Sequence, residues 1–254
     1  MKVSGSPDGE ALWRRSEVIL WAIFFALVGA YGYYLSRLQP FPEIGGRFAS
    51  AVLLMALILW ISSTSPRDGS EHFPAALAVF VGGTSVAFGA RSMGVTKTDV
   101  IVAPLGGVLF CVGGIALLSA RWGHADQAEQ IGSFFLASTM VMVEIYLAFR
   151  GLVIGVPGIS WSKSGLRQIR RGLVLGPNGA IAHFERSWDM EDPWINSMSH
   201  AALVLIHRSL GNSEKESMHI LELEKSGGWD SIDSSWTKAI EDALESSGFA
   251  PEHG

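Results

Sequence analysis

Glu144 has the most unusual setting of any chemically capable side chain in this sequence. It lies in Met140-Val141-Met142-Val143-Glu144-Ile145-Tyr146. An ionisable group in such a run costs roughly a few kcal/mol or more in hydrocarbon and faces a bundle interior. Two roles follow. One is a proton or ion relay. The other is a protonated or hydrogen-bonded acid that locks helix packing, with Thr84 or Ser85 as partners. No acid, histidine or lysine accompanies it in the other apolar runs, which favours packing. Arg150 snorkels to the interface.

The second group is cationic. Lys163, Arg167, Arg170 and Arg171 follow the last long apolar run. Beside an anionic leaflet each adds about 1 kcal/mol of attraction; the same residues also enforce topology. The remaining candidates are weaker. The seven histidines are His72, His124, His183, His200, His207, His219 and His253. None pairs at metal-ligand helical spacing around a carboxylate, although His200 and His207 share a helical face at i, i+7. The single Cys111 excludes an intrachain disulfide and a cysteine-based metal site. Gly172-x-x-x-Gly176-x-x-Gly179 lacks the Lys-Ser/Thr ending of a phosphate loop, and no G-x-S-x-G elbow occurs. Trp161, Trp188, Trp194, Trp229 and Trp236 read as core or membrane-surface anchors. No cofactor, metal or catalytic constellation is expected.

The elements that position these residues are mostly membrane spans. Apolar runs cover 18–35, 48–61, 73–90, 100–120 and 131–156, separated by short polar stretches. A bilayer core needs about 20 helical residues. The runs are continuous rather than alternating, which predicts helices, not barrel strands. The run at 48–61 is the shortest. Arg14 and Arg15 before the first run resemble the start of a signal peptide, but the later spans and the aromatic belt Tyr31, Tyr33 and Tyr34 argue for a retained helix. Runs three and four echo one another at Val81-Gly82-Gly83 and Val112-Gly113-Gly114, and Gly106-Gly107 lies a heptad before the latter pair. Small residues let membrane helices approach closely, so Gly82, Gly83, Gly106, Gly107, Gly113 and Gly114 are expected at helix contacts. The alternative is a broken helix lining a transport site.

Charge separates the chain into two parts. Residues 1–157 carry ten Lys/Arg and ten Asp/Glu; residues 158–254 carry nine and fourteen, giving 9 − 14 = −5. An acidic domain is a poor partner for nucleic acid. Five spans place the chain ends on opposite sides. One side holds Arg37, Arg47, Arg91, Lys97 and the four-residue cluster; the other holds Lys2, Arg14, Arg15, Arg67 and Arg121. Eight against five puts the C-terminal domain in the cytoplasm. The expected organisation is a polar tail over 1–17, a transmembrane domain over 18–156 and a soluble domain over 158–254.

In the soluble part, Ile159-Ser160-Trp161 alternates like a strand, Ser162 to Gly165 reads as a turn, and 166–171 as a second strand. Gly176-Pro177-Asn178-Gly179 between Leu173-Val174-Leu175 and Ala180-Ile181-Ala182-His183-Phe184 predicts a hairpin. Asp192-Pro193 suits a helix start. Leu203 to His207 fits a continued helix or a buried strand, and the strand is preferred, joined to the next by the polar loop Ser209 to Lys215. His219, Leu221 and Leu223 alternate against Glu222 and Glu224, favouring a strand over the helix that Ser213-x-x-Glu216 suggests. Trp236, Ile240, Ala243 and Leu244 mark a closing amphipathic helix, ended by Gly248.

The stretch Pro157-Gly158-Ile159-Ser160-Trp161-Ser162-Lys163-Ser164-Gly165-Leu166-Arg167, directly after a span, resembles the opening strands of the PH-like domains of bacterial multi-span membrane proteins. The resemblance implies a β-rich barrel closed by the final helix, and a role in binding or assembly rather than catalysis.

The fold expected is therefore about five transmembrane helices followed by a small α+β, β-rich soluble domain ending in an amphipathic helix. The function expected is non-enzymatic: a cell (inner or plasma) membrane protein whose C-terminal domain docks a protein partner or membrane lipid. The alternative is a small transporter using Glu144 and the glycine-rich third and fourth spans. Oligomeric state stays open.

Overall fold

The computed structural model of the chain describes residues 7–65, 71–188 and 192–249, with side chains from residue 15 onward. The tail expected over 1–17 is helical from Pro7, and its first six residues lie outside the described ones, as do most of the turn after Ser65 and residues 250–254. The chain divides into two compact units, Met1–Gly155 and Val156–Gly254.

The first unit contains α1 (Pro7–Ser36), α2 (Pro42–Ser63), α3 (Phe73–Arg91), α4 (Val102–Arg121) and α5 (Gln127–Ala148). Five segments are long and apolar enough to cross a membrane: Arg15–Ser36, Pro42–Ser63, Phe73–Thr96, Val102–His124 and Gln127–Ile154. The protein is membrane-embedded on this evidence. The second is no shorter than the first, because proline in its first turn starts the helix well ahead of the apolar run at 48–61. α1 packs on α2 and α3 on α4 as two helical hairpins. Their shared core includes Ala22, Phe25, Val52, Leu59, Ala78, Leu105 and Leu109. α4 is the most buried span; α5 leans on it and leaves Phe134, Phe135, Met142 and Ile145 facing outward, as lipid-facing side chains do.

The second unit corrects the expected β-rich domain. Its described residues form five α-helices and no strand: α6 (Gly158–Arg170), α7 (Ala180–Glu185), α8 (Pro193–Ser209), α9 (Ser213–Lys225) and α10 (Ser234–Ser246). The barrel implied by the PH-like resemblance is therefore absent. The stretch that carried it is α6. Its inner face is Gly158, Ser162, Gly165 and Ile169, at i, i+4, i+7 and i+11, so the residues read as strand, turn and strand lie along one helix with a buried face. A Cβ at Gly165 would come within 2.8 Å of the Phe184 ring.

The expected hairpin is instead a closed turn from α6 into α7. Ala180 N donates to Leu173 O at 2.9 Å and Ile181 N to Val174 O at 3.3 Å. Ala180, His183 and Phe184 are buried at i, i+3, i+4, a helical spacing. Residues 203–207 continue α8, which is buried on all sides from Ala201 to His207, the signature of a central helix. In α9, His219 and Leu223 are buried but Leu221 is 63% exposed. A strand would have put all three on one face. Asp233 caps α10 by accepting from Ser235 N at 2.7 Å. Trp236 Nε1 donates to Met198 O at 3.0 Å, tying α10 to α8. The core joins Ile169, Val174, Phe184, Leu203, Ile206, Ile240 and Leu244.

Candidate functional site

The two glycine pairs of α4 serve both of its neighbours. The first of each pair faces α3. A Cβ at Gly106 would lie 2.6 Å from Ser85 Cβ, and one at Gly113 would lie 2.7 Å from Ala75 O. Gly82, opposite, would press a Cβ onto the Phe110 amide and onto Gly106 O at 2.6 Å; Gly83 only meets the Phe110 ring at 3.3 Å. The second of each pair faces α5. Gly107 leaves the space that Glu144 Oε2 fills, and Gly114 the space filled by the Met140 methyl. Cys111 Sγ donates to Met140 O at 3.2 Å between them.

Glu144 therefore meets α4, not Thr84 or Ser85 on α3; the Thr84 hydroxyl donates to Phe80 O of its own helix at 2.7 Å. Glu144 Oε2 is buried with no hydrogen-bond partner among the described residues. A second acid, Asp99, is fully buried at the start of α4. Its Oδ1 accepts from Ile101 N at 3.1 Å and Val102 N at 2.9 Å, satisfying amides that a helix start leaves open. Burial pushes its carboxyl above the usual range against those two donors. Asp99 has a signal in the sequence, as an acid just ahead of a long apolar run. Asp99→Ala is expected to cost about 1–2 kcal/mol, read as a lower melting temperature of the detergent-solubilised protein. An unchanged melt would remove the capping role.

The basic cluster splits. Lys163, Arg170 and Arg171 are exposed on and just beyond the outer side of α6. Arg167, half-buried, acts on His183 of α7 and helps lower its pKa. His183 Nδ1 is 2.9 Å from Ser164 Oγ, and its ring meets Trp161 edge-on at 5.2 Å. Burial first, then the Arg186 and Arg167 charges, bring its pKa down to about 4.

A third cluster joins α8 to α9. His219 lies between His200 and His207, with ring centroids at 5.4 and 5.6 Å. His200 Nδ1 and His219 Nδ1 are 3.2 Å apart, so one ring donates to the other. Trp188 covers His200 at 5.2 Å. His207 and His219 are both buried, and neither ring nitrogen of His207 has a partner among the described residues. His219 is lowered to about 4, chiefly by burial and then by His200, His207 and Lys215, with Glu222 opposing. His200 and His207 are lowered as well, again by burial first. Among the described residues, no group of three or more His, Cys, Asp or Glu is arranged to hold a metal ion. The shared helical face of His200 and His207 was legible in sequence. The intervening ring of His219 was not, because it comes from another helix.

No family model, curated protein or solved structure matches this chain.

Proposed function

We propose that this chain is a multi-pass protein of the cell (inner or plasma) membrane whose C-terminal helical domain, on the cytoplasmic side, docks a protein partner or the lipid surface without catalysing a reaction. The observation that supports this reading most is the exposed cationic side of α6. Lys163 and Arg170 lie on, and Arg171 just after, a helix that opens at Gly158, shortly after the fifth span ends at Ile154 in sequence. In sequence, α6 begins four residues after the fifth span ends. The positive-inside count agrees with that side. The test is a pair of fusions after residue 254 to reporters active on only one side of the membrane, followed by deletion of 158–254. A cytoplasmic signal and a loss of function on deletion are expected. An external signal, or a deletion without consequence, would overturn the reading.

A second reading rests on the unpartnered Glu144 Oε2 in the α4–α5 contact, which suits an ion-coupled carrier. Glu144→Gln keeps the shape and removes the charge. The docking reading expects unchanged protein yield and function. Proton or ion flux in reconstituted vesicles that disappears in the variant at equal protein level would favour the carrier.

A further inference from the structure

We propose that the turn after α6 is a lipid-inserting wedge, in which Leu173 and Leu175 enter the headgroup–acyl boundary of an anionic leaflet while Arg170 and Arg171 bind its phosphates. The inference rests on the docking reading above and names the contact it uses.

The turn is built to hold two leucines outward. Val174 is 1% exposed, whereas Leu173 and Leu175 on either side are 53% and 66% exposed. Val174 sits in the core with Ile169 and Phe184, so the anchor fixes the direction of its neighbours. The backbone is closed on both sides. Gly172 N donates to Ile169 O at 2.8 Å and Leu173 N to Gln168 O at 2.9 Å, while Leu173 O and Val174 O accept from the first residues of α7. Gly172 and Gly176 bracket the tip at φ +71° and +92°, a region other residues rarely enter. Scattered exposed leucines need no explanation. Two of them, held rigidly beside two exposed arginines, form the pairing of apolar insertion and cationic attraction that binds interfaces.

Charge identifies the leaflet as the occupant. Residues 158–184 hold four Lys/Arg and no Asp/Glu, a net of +4; residues 185–254 hold five Lys/Arg and fourteen Asp/Glu, a net of 5 − 14 = −9. An anionic surface attracts the first segment and repels the second.

The test uses the full-length protein in nanodiscs. Cys111 is first replaced by Ala, and single cysteines are placed at Leu173, Leu175, Lys163 and, as a control in the acidic segment, Glu214, each carrying a nitroxide. Nanodiscs contain either zwitterionic lipid alone or zwitterionic lipid with phosphatidylglycerol. With anionic lipid, labels at 173 and 175 are expected to collide with a lipid-phase relaxant several-fold more often than the label at 214. Arg170→Glu with Arg171→Glu should abolish the difference. Labels at 173 and 175 that match 214 in both lipids, while 163 responds to anionic lipid, would overturn the wedge and leave surface docking standing. If 163 is also silent, the leaflet contact fails as a whole. Labels at 173 and 175 that are shielded from both aqueous and lipid relaxants would show a protein occupant and overturn the proposal.

Discussion

Lowering the pH from 7 to 4 is expected to destabilise the C-terminal domain by several kcal/mol. Burial brings the His219 and His183 rings down to about 4 in the folded chain, against about 6.5 for an ordinary histidine, so as acid is added the unfolded chain takes up protons first. The stabilisation that comes from keeping these rings neutral is complete above 6.5. It is lost as the pH falls from there toward 4. A gap of 6.5 − 4 = 2.5 corresponds to about 3 kcal/mol per ring. That is a large share of the 5–15 kcal/mol or so that holds a typical domain. His219 is 3% and His183 4% exposed, so little solvent screening applies. The groups around the α8–α9 cluster are His200, His207 and Arg208 on α8 with Lys215, Glu216 and Glu222 on α9. Arg208 Nε is 2.8 Å from Glu216, and Lys225 Nζ is 2.7 Å from Glu222, so both acids are already engaged by cations. The measurement is the urea midpoint of the C-terminal domain by pulse proteolysis of the full chain, between pH 7 and 4. His219→Phe keeps a ring in the stack and removes its proton; it should remove the His219 share of the pH dependence and leave that of His183. A midpoint that holds steady or rises below pH 6.5 would defeat the prediction.

Gly82→Leu is expected to break the α3–α4 hairpin. The Cβ alone collides with the Phe110 amide and Gly106 O, both backbone atoms of the facing helix, so no rotamer relieves it. The helices must separate along a crossing that also holds Gly89 against Ala103 and Gly113 against Ala75. Overpacking at one core site costs about 1–3 kcal/mol where side chains can yield; backbone against backbone places this case at or above that range. Gly132→Leu is the control, since nothing lies within 4 Å of a Cβ there. Thermal unfolding in detergent, followed by size-exclusion recovery, should separate the two by many degrees. Equal behaviour would mean that the close approach contributes nothing.

The contrast between the two glycines shows where sequence reading reaches its limit. The repeated pairs at Gly82-Gly83, Gly106-Gly107 and Gly113-Gly114 mark close packing by type and spacing. Which neighbour each serves depends on rotation about α4. Adjacent residues sit about 100° apart on a helix, so Gly106 meets α3 while Gly107 meets Glu144. The same limit applies to the acid: its rarity in an apolar run was visible, its partner helix was not.

Five membrane-length helices were legible from sequence because a continuous apolar run of some twenty residues admits no other backbone solution in lipid. The soluble half offered no such constraint. Its apolar runs are short enough to fit a helical or a two-residue period, and Ile159-Ser160-Trp161 alternates like a strand while forming part of a helix. Only tertiary burial separates the two readings: Leu221 points outward, α8 is enclosed on every side, and His219 enters between His200 and His207 from a different helix. Hydrophobic identity is a property of each residue, so the sequence by itself determined that most of this chain belongs in a bilayer. Which face is covered, and by what, is a property of the assembled packing, so only the tertiary structure decided that the C-terminal domain is helical and that three imidazoles share its interior.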